Sequence, residues 1–430
     1  MKFEMQNVTA ATKRELKILL SAWPKSAVAV AVFLQIVLFS IKDDYSPAVL
    51  PMVRWGIIIF AGLLLLKTGG NALRNMAAPI LFCTYMGISL VIGPNFKDML
   101  PIYLRIVGML MIGLCLRPRL NFEKINFVHV LMSAFGAVTL ASLITGLLNV
   151  GDAYVGSESA ADGRYRLQGI TWHPGILGYA ACMSAVWNLT ELRSSLNGTF
   201  KRFWALCMIG VSITCLYMSD SRTGYIAIVL AALMLYLSKY FEIWARHHYE
   251  QYILKFVIPA LIVVGYSIPI YVALVNFSEL TVTDGTSALR TQAWIWGIRQ
   301  FVDHPLMGAG MGAYASVRIG AYTEDLMYLH SAMINHIAHG GVMGLSAFLF
   351  LQYSLYKSVF LRAASSNYGS FSYRICSDRI YSFKIIAFVV TLVYSVTEGA
   401  LQGVYTSFVV AFSIVALDLR PPKSGYENNQ

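Results

Sequence analysis

Four short stretches of the chain hold residue types that could do chemistry together. Arg166-Leu-Gln-Gly169-Ile-Thr-Trp-His173-Pro174 closes one polar segment, and Ser219-Asp-Ser-Arg222-Thr-Gly224 makes a very short turn between two apolar runs. Arg290-Thr-Gln-Ala-Trp-Ile-Trp296 is followed by Asp303-His-Pro305-Leu-Met-Gly308-Ala-Gly310. The fourth begins at His330 and continues through Asn335, His336, His339, Gly341 and Gly344. Arginine presents a planar fork of donors that matches phosphate oxygens and keeps its charge at any physiological pH. Histidine can accept a proton near neutrality. The pair of residue types therefore suits binding an anionic group and moving a proton beside it. The acidic residues Asp284, Asp303, Glu324 and Asp325 are spread out and suggest no metal site, so neither a metal nor a cofactor is expected.

The elements that must position these residues are read from composition. Hydrophobic residues make up 57% of the 430 residues and charged ones only 13%, about half the charged share of a soluble domain. The apolar residues come in long blocks, and only a helix of that length satisfies its own backbone inside a bilayer. Candidate spans are 27–41, 48–66, 77–93, 100–116, 127–148, 174–190, 203–219, 223–240, 256–275, 333–356, 385–397 and 402–417. The expected fold is thus all-α, a single polytopic membrane domain over residues 1–430 with about twelve transmembrane helices. Six cysteines, Cys83, Cys115, Cys182, Cys207, Cys215 and Cys376, stand singly without a CxxC pair and read as small hydrophobes.

Sidedness follows from the basic residues. Lys2, Lys13, Arg14, Lys17 and Lys25 precede the first span, and basic clusters recur at every second connection, as at Arg117, Arg119 and Lys124 or Lys357, Arg362 and Arg374. That alternation puts both termini in the cytoplasm and explains the net charge of +11 without invoking nucleic acid. The longest outer connections are 149–173 and 276–332. Long loops are where functional residues concentrate. In the second, 288–302 reads as an amphipathic helix lying at the membrane interface, broken by Pro305 and the glycines that follow.

Basic residues that escape the inward bias are mostly arginines, among them Arg105, Arg164, Arg166, Arg222, Arg290, Arg299 and Arg318. Arg105 falls inside an apolar span, where an ionised group is costly and usually faces a polar cavity. Singly, each arginine also fits interfacial snorkelling or pairing with a carboxylate. As a set they point to an anionic ligand on the outer face.

In this order and on this side of the membrane, the stretches resemble the bacterial O-antigen ligase and Wzy-type polysaccharide polymerase superfamily. Arg222 matches its SRT/SRG-like arginine, and Arg290 the arginine shortly before a Trp in the large periplasmic loop. Pro305, Gly308 and Gly310 match "hPl.G.G"; His330 with Gly341 and Gly344 matches "HN..L......G..G". The chain departs from the last pattern at Ser331 and Ile334. The resemblance is strongest over about 160–345 and implies a GT-C-like enzyme of the bacterial inner membrane with a periplasmic active face. It implies a glycan on undecaprenyl pyrophosphate as donor and a sugar hydroxyl, on a glycan or on lipid A–core, as acceptor. His330 would be the catalytic base, and Arg222, Arg290, Arg166 and Arg105 would bind the pyrophosphate. His173, His336, His339 and Trp296 would stand behind them or contact the acceptor. A flippase and a chain-length regulator are implied as possible partners beside the membrane lipids. The Arg166–Pro174 stretch favours a polymerase over a ligase. A secondary transporter is the reading of a different class, and it would be expected to show matching halves and midplane polar residues.

Overall fold

A computed structural model describes residues 77–116, 127–156, 165–193 without 172, 199–244, 258–276, 286–326 without 314, 320 and 321, 329–357 and 379–397, with a few isolated positions. The expected spans 27–41, 48–66 and 402–417 lie outside the described residues. The remaining expected spans are helical. In chain order they are α1 (Ala77–Ile92), α2 (Phe96–Leu116), α3 (Phe127–Leu147), α4 (Pro174–Arg193), α5 (Thr199–Met218), α6 (Arg222–Trp244), α7 (Ile258–Val275), α9 (Ala332–Tyr356) and α10 (Arg379–Thr397). Between α7 and α9 lies α8 (Thr286–Asp303). Among the described residues, four stretches are long and apolar enough to cross a membrane: Val130–Leu147, Thr199–Met218, Ile258–Val275 and Ala332–Tyr356. The fold is therefore mostly helical and membrane-type, while the full count of twelve rests on the charge pattern.

Two small antiparallel hairpins break the all-α expectation, both in the long connections. Strands β1 (Tyr154–Gly156) and β2 (Tyr165–Leu167) pair in the first, with Val155 opposite Arg166. Strands β3 (Ala315–Ile319) and β4 (Tyr322–Leu326) pair in the second. Such short strands gave no periodic signal of their own in sequence.

Helix α4 is the hub, packed on α3, α5, α6 and α10. Every residue from Pro174 to Asn188 is buried, so the helix has no lipid face to make apolar. Small residues, Gly175, Gly178, Ala180, Ala181, Ser184 and Ala185, allow its neighbours to approach closely. The outer helices show the complementary pattern: Phe200, Phe203 and Trp204 on α5 and Leu261, Val263 and Val264 on α7 are exposed, as lipid-facing residues must be.

The helix expected over 288–302 is present as α8. No residue from Arg290 to Phe301 is exposed, and the helix packs against α7 and α9. Ala293 and Gly297, four apart, explain the close approach: a side-chain carbon on Gly297 would lie 2.5 Å from Ile334.

Helix α9 is broken at Gly341, whose backbone sits at φ 56°, ψ −144°, a region open essentially only to glycine. A break inside a bilayer frees backbone groups that must find partners. The segment after α8 supplies them. The Pro305 carbonyl accepts the Val342 N–H at 2.8 Å, the Leu306 carbonyl accepts the Met343 N–H at 3.2 Å, and Ala309 donates to the Ala338 carbonyl at 2.8 Å. The same segment then binds α1, where Met311 donates to the Ser89 carbonyl at 2.8 Å. The proline–glycine pattern is thus a plug for the broken helix.

Candidate active site

The N-terminus of α4 is built by His173 and Pro174. Proline at the first helical position loses nothing, because the N–H it lacks would have had no helical partner. His173 is the cap. Its carbonyl accepts the Ile176 N–H at 3.0 Å, and its Nδ1 accepts the Gly175 N–H at 2.9 Å. The Thr171 hydroxyl donates to the same carbonyl at 3.1 Å.

Strand β2 carries Arg166 toward the next piece. Its Nε donates to the Ser219 carbonyl at 2.9 Å, and its Nη2 reaches the Asp220 carbonyl at 3.4 Å. Those two residues lead directly into Arg222, the first residue of α6, which is exposed. The turn is further held by Ser221, whose hydroxyl lies 3.1 Å from that of Tyr394 on α10. Gly178 of α4 packs on the same hydroxyl pair. A cation opening a helix opposes the macrodipole and is mildly destabilising there, so packing alone does not account for Arg222.

His330, like Asp220 in the turn before α6, has a constrained backbone. Its φ is 50°, in the left-handed range that few non-glycine residues occupy, at a cost of about 1–3 kcal/mol. The bend is held from below: the N–H of fully buried Leu329 donates to Asn335 Oδ1 at 3.1 Å, and the Asn335 N–H donates to the Ser331 carbonyl at 2.9 Å. The ring is half-buried, with Nδ1 buried and without a hydrogen-bond partner among the described residues. Burial, then the Arg290 guanidinium and then His173, lower its pKa to about 3. Burial, then Arg166 and Arg290, lower that of His173 to about 4. Arg166, His173, Arg290 and His330 therefore form one electrostatic group, gathered from the first long connection, α8 and the head of α9.

Asn335 carries a prediction. Asn335→Ala leaves the Leu329 N–H buried without that acceptor, at about 1–3 kcal/mol, and releases the bend at His330. Product should fall more than expression, measured on a gel against a blot; wild-type product would show that the bend holds without Asn335.

The other residues singled out in sequence fall elsewhere. His336 Nδ1 lies 2.8 Å from the Tyr85 hydroxyl, its ring packed among Phe82, Tyr85 and Phe348. His339 donates from Nδ1 to the Gly310 carbonyl at 2.9 Å, and its own carbonyl accepts the Ser89 hydroxyl at 2.7 Å. His336 binds α9 to α1, His339 binds it to α1 and to the plug, and neither is among the charges acting on His330. Trp296 is half-buried, its ring 6.2 Å from that of His339. The Arg105 side chain lies outside the described residues. Among the described residues, no three His, Cys, Asp or Glu side chains gather as metal ligands would. Sequence reasoning gave no role to Asn335, Ser89 or Tyr85; Asn335 stood within the fourth stretch, but the two α1 residues carried no signal.

Fold and site together define a multi-helix membrane protein with a cationic, histidine-bearing site at the ends of its helices. The family model Wzy_C, described as O-antigen ligase, matches residues 205–349, about a third of the chain. Over that segment the chain is similar to the O-antigen ligase family, in keeping with the resemblance its motifs carry. The matched segment contains Arg222, Arg290 and His330, while Arg166 and His173 precede it. A search of curated proteins finds no match.

Proposed function

We propose that the protein moves a glycan from an undecaprenyl-pyrophosphate donor to a sugar hydroxyl on the periplasmic face of the inner membrane, as a Wzy-type polysaccharide polymerase. The observation that carries the reading is the strained His330 with Arg290 and His173 around it, and Arg166 linking His173 to the turn of Arg222. In the reaction the acceptor oxygen attacks the anomeric carbon, and its proton passes to His330. The bond from that carbon to the phosphate oxygen breaks, and undecaprenyl pyrophosphate leaves with the electron pair. Arg290, Arg222 and Arg166 bind the pyrophosphate and stabilise the charge growing on the leaving oxygen, with donors already in place. Such a leaving group needs no nucleotide sugar, and the arginines supply the electrostatics a metal would otherwise provide. Arg105 belongs to the same proposal as a fourth phosphate contact. His336 and His339 serve by holding α9 in place, and Trp296 stands beside His339 as an acceptor-side aromatic.

The printed description of the matching family favours a second reading, a ligase that transfers finished chains to lipid A–core. Deleting the gene separates the two. Loss of a polymerase leaves single repeat units attached to lipid A–core, because ligation continues. Loss of a ligase leaves bare core and long chains still on the polyprenyl carrier. We expect the first pattern on a lipopolysaccharide gel; the second would assign the ligase, and an unchanged pattern with no lipid-linked glycan accumulating would remove both. A flippase and a chain-length regulator are the partners a polymerase would need.

A further inference from the structure

We propose that His173 is a working residue of this site, a neutral imidazole with its proton fixed on Nε2, donating from that atom to the leaving oxygen of the bound pyrophosphate. The inference rests on the transferase reading and adds a neutral donor to the arginines. Nδ1 accepts the Gly175 N–H at 2.9 Å, so its lone pair is occupied. A neutral imidazole has one N–H, which must then be on Nε2. Protonating Nδ1 would set two N–H groups against each other at the positive end of a helix, which both the geometry and the dipole oppose.

The ring cannot trade roles by turning. Pro174 has no N–H, so Gly175 carries the first N–H of α4 for the side chain to cap. Two backbone N–H groups and the Thr171 hydroxyl fix the His173 carbonyl. With Nδ1 facing the helix, Nε2 faces away from it, on a ring whose charge Arg166 and Arg290 influence. Among the described residues the ring makes no hydrogen bond from Nε2. Burial and the two arginines also keep the ring uncharged, at a pKa of about 4.

A neutral donor suits this position better than a further cation. The arginines already match the charge of the pyrophosphate, and more fixed charge would hold substrate and product equally tightly. A neutral N–H aimed at the bridging oxygen gains strength only as that oxygen takes on charge. A neutral histidine kept uncharged at a helix N-terminus to act as a hydrogen-bond donor is established chemistry.

His173→Asn tests this, because asparagine is among the best caps and preserves the bond to Gly175 while removing Nε2–H. Melting temperature and insertion should match the wild type. The rate constant kcat should fall roughly 10²–10³-fold, as for loss of one fixed donor, with the donor KM little changed. Wild-type kcat in His173→Asn overturns the proposal and leaves the transferase reading intact. A wild type without transfer activity would instead sink the reading beneath it. A second test does not depend on asparagine. In His173→Gly, added imidazole can accept from Gly175 and still donate, whereas 1-methylimidazole can only accept. Recovery of activity with imidazole alone is the expected result, and equal recovery with both overturns a donor role.

Discussion

His330→Ala lowers glycan transfer roughly 10²–10⁴-fold, the usual cost of losing a positioned general base, while the protein still inserts and folds. The ring is half-buried at the head of α9, and the bend beneath it is held by Leu329 and Asn335 and not by the imidazole. The left-handed backbone at φ 50° is, if anything, less favourable for alanine than for histidine. A modest loss of melting temperature is therefore expected alongside the loss of rate. The pH profile gives a second expectation. With its pKa lowered to about 3 by burial and Arg290, His330 is already neutral in the free protein at any pH from 5 to 8. The value of kcat/KM, which reports the free enzyme, should show no acid limb from this group in that range. Bound pyrophosphate brings negative charge beside Arg290 and raises the pKa, so any acid limb belongs to kcat and lies at higher pH. An acid limb near pH 6.5 in kcat/KM that vanishes in a histidine variant able to turn over would contradict the burial described for His330.

Arg290→Lys should lower transfer by roughly 10²-fold or more, the lower range for removing one preorganised donor. Lysine keeps the charge but cannot present a planar fork to two phosphate oxygens. Because the charge stays, the pKa of His330 should stay depressed, so the pH profile should keep its shape as its height falls. Arg290→Ala removes both, and there the His330 pKa should rise while burial, the larger cause, still holds it below its usual value. Wild-type kcat in Arg290→Lys would show that only charge matters at this position, and the bidentate account would be wrong.

The helices were legible because the bilayer demands long apolar blocks, and α1, α3, α5, α7 and α9 begin and end close to the expected limits. Helix α4 was legible by length although its small and polar residues make it less apolar, since a helix buried on every side has no lipid face. The plug formed by 305–309 was visible only as punctuation. Proline and glycine mark a break in the chain, but nothing local says that the freed groups of another helix, far along the chain, will be its partners. The helix expected over 288–302 was legible but its packing was not: an Ala–Gly pair four apart reads as weak amphipathicity until a partner helix is known. In the site, arginine and histidine were found by type and by their escape from the charge bias. The bend at His330 was not, because it depends on an asparagine side chain returning to a backbone N–H six residues earlier. The capping role of His173 lay half in view in the His-Pro pair that opens α4.

The central claim is that this chain consumes a lipid-linked glycan, and the most direct measurement is the amount of polyprenyl-pyrophosphate-linked glycan in membranes of a strain lacking it. Mass spectrometry should find that species accumulated in the deletion strain and in one carrying His330→Ala at matched expression. It should fall to the parental level when the wild-type gene is restored. Equal amounts in all three strains would contradict the account.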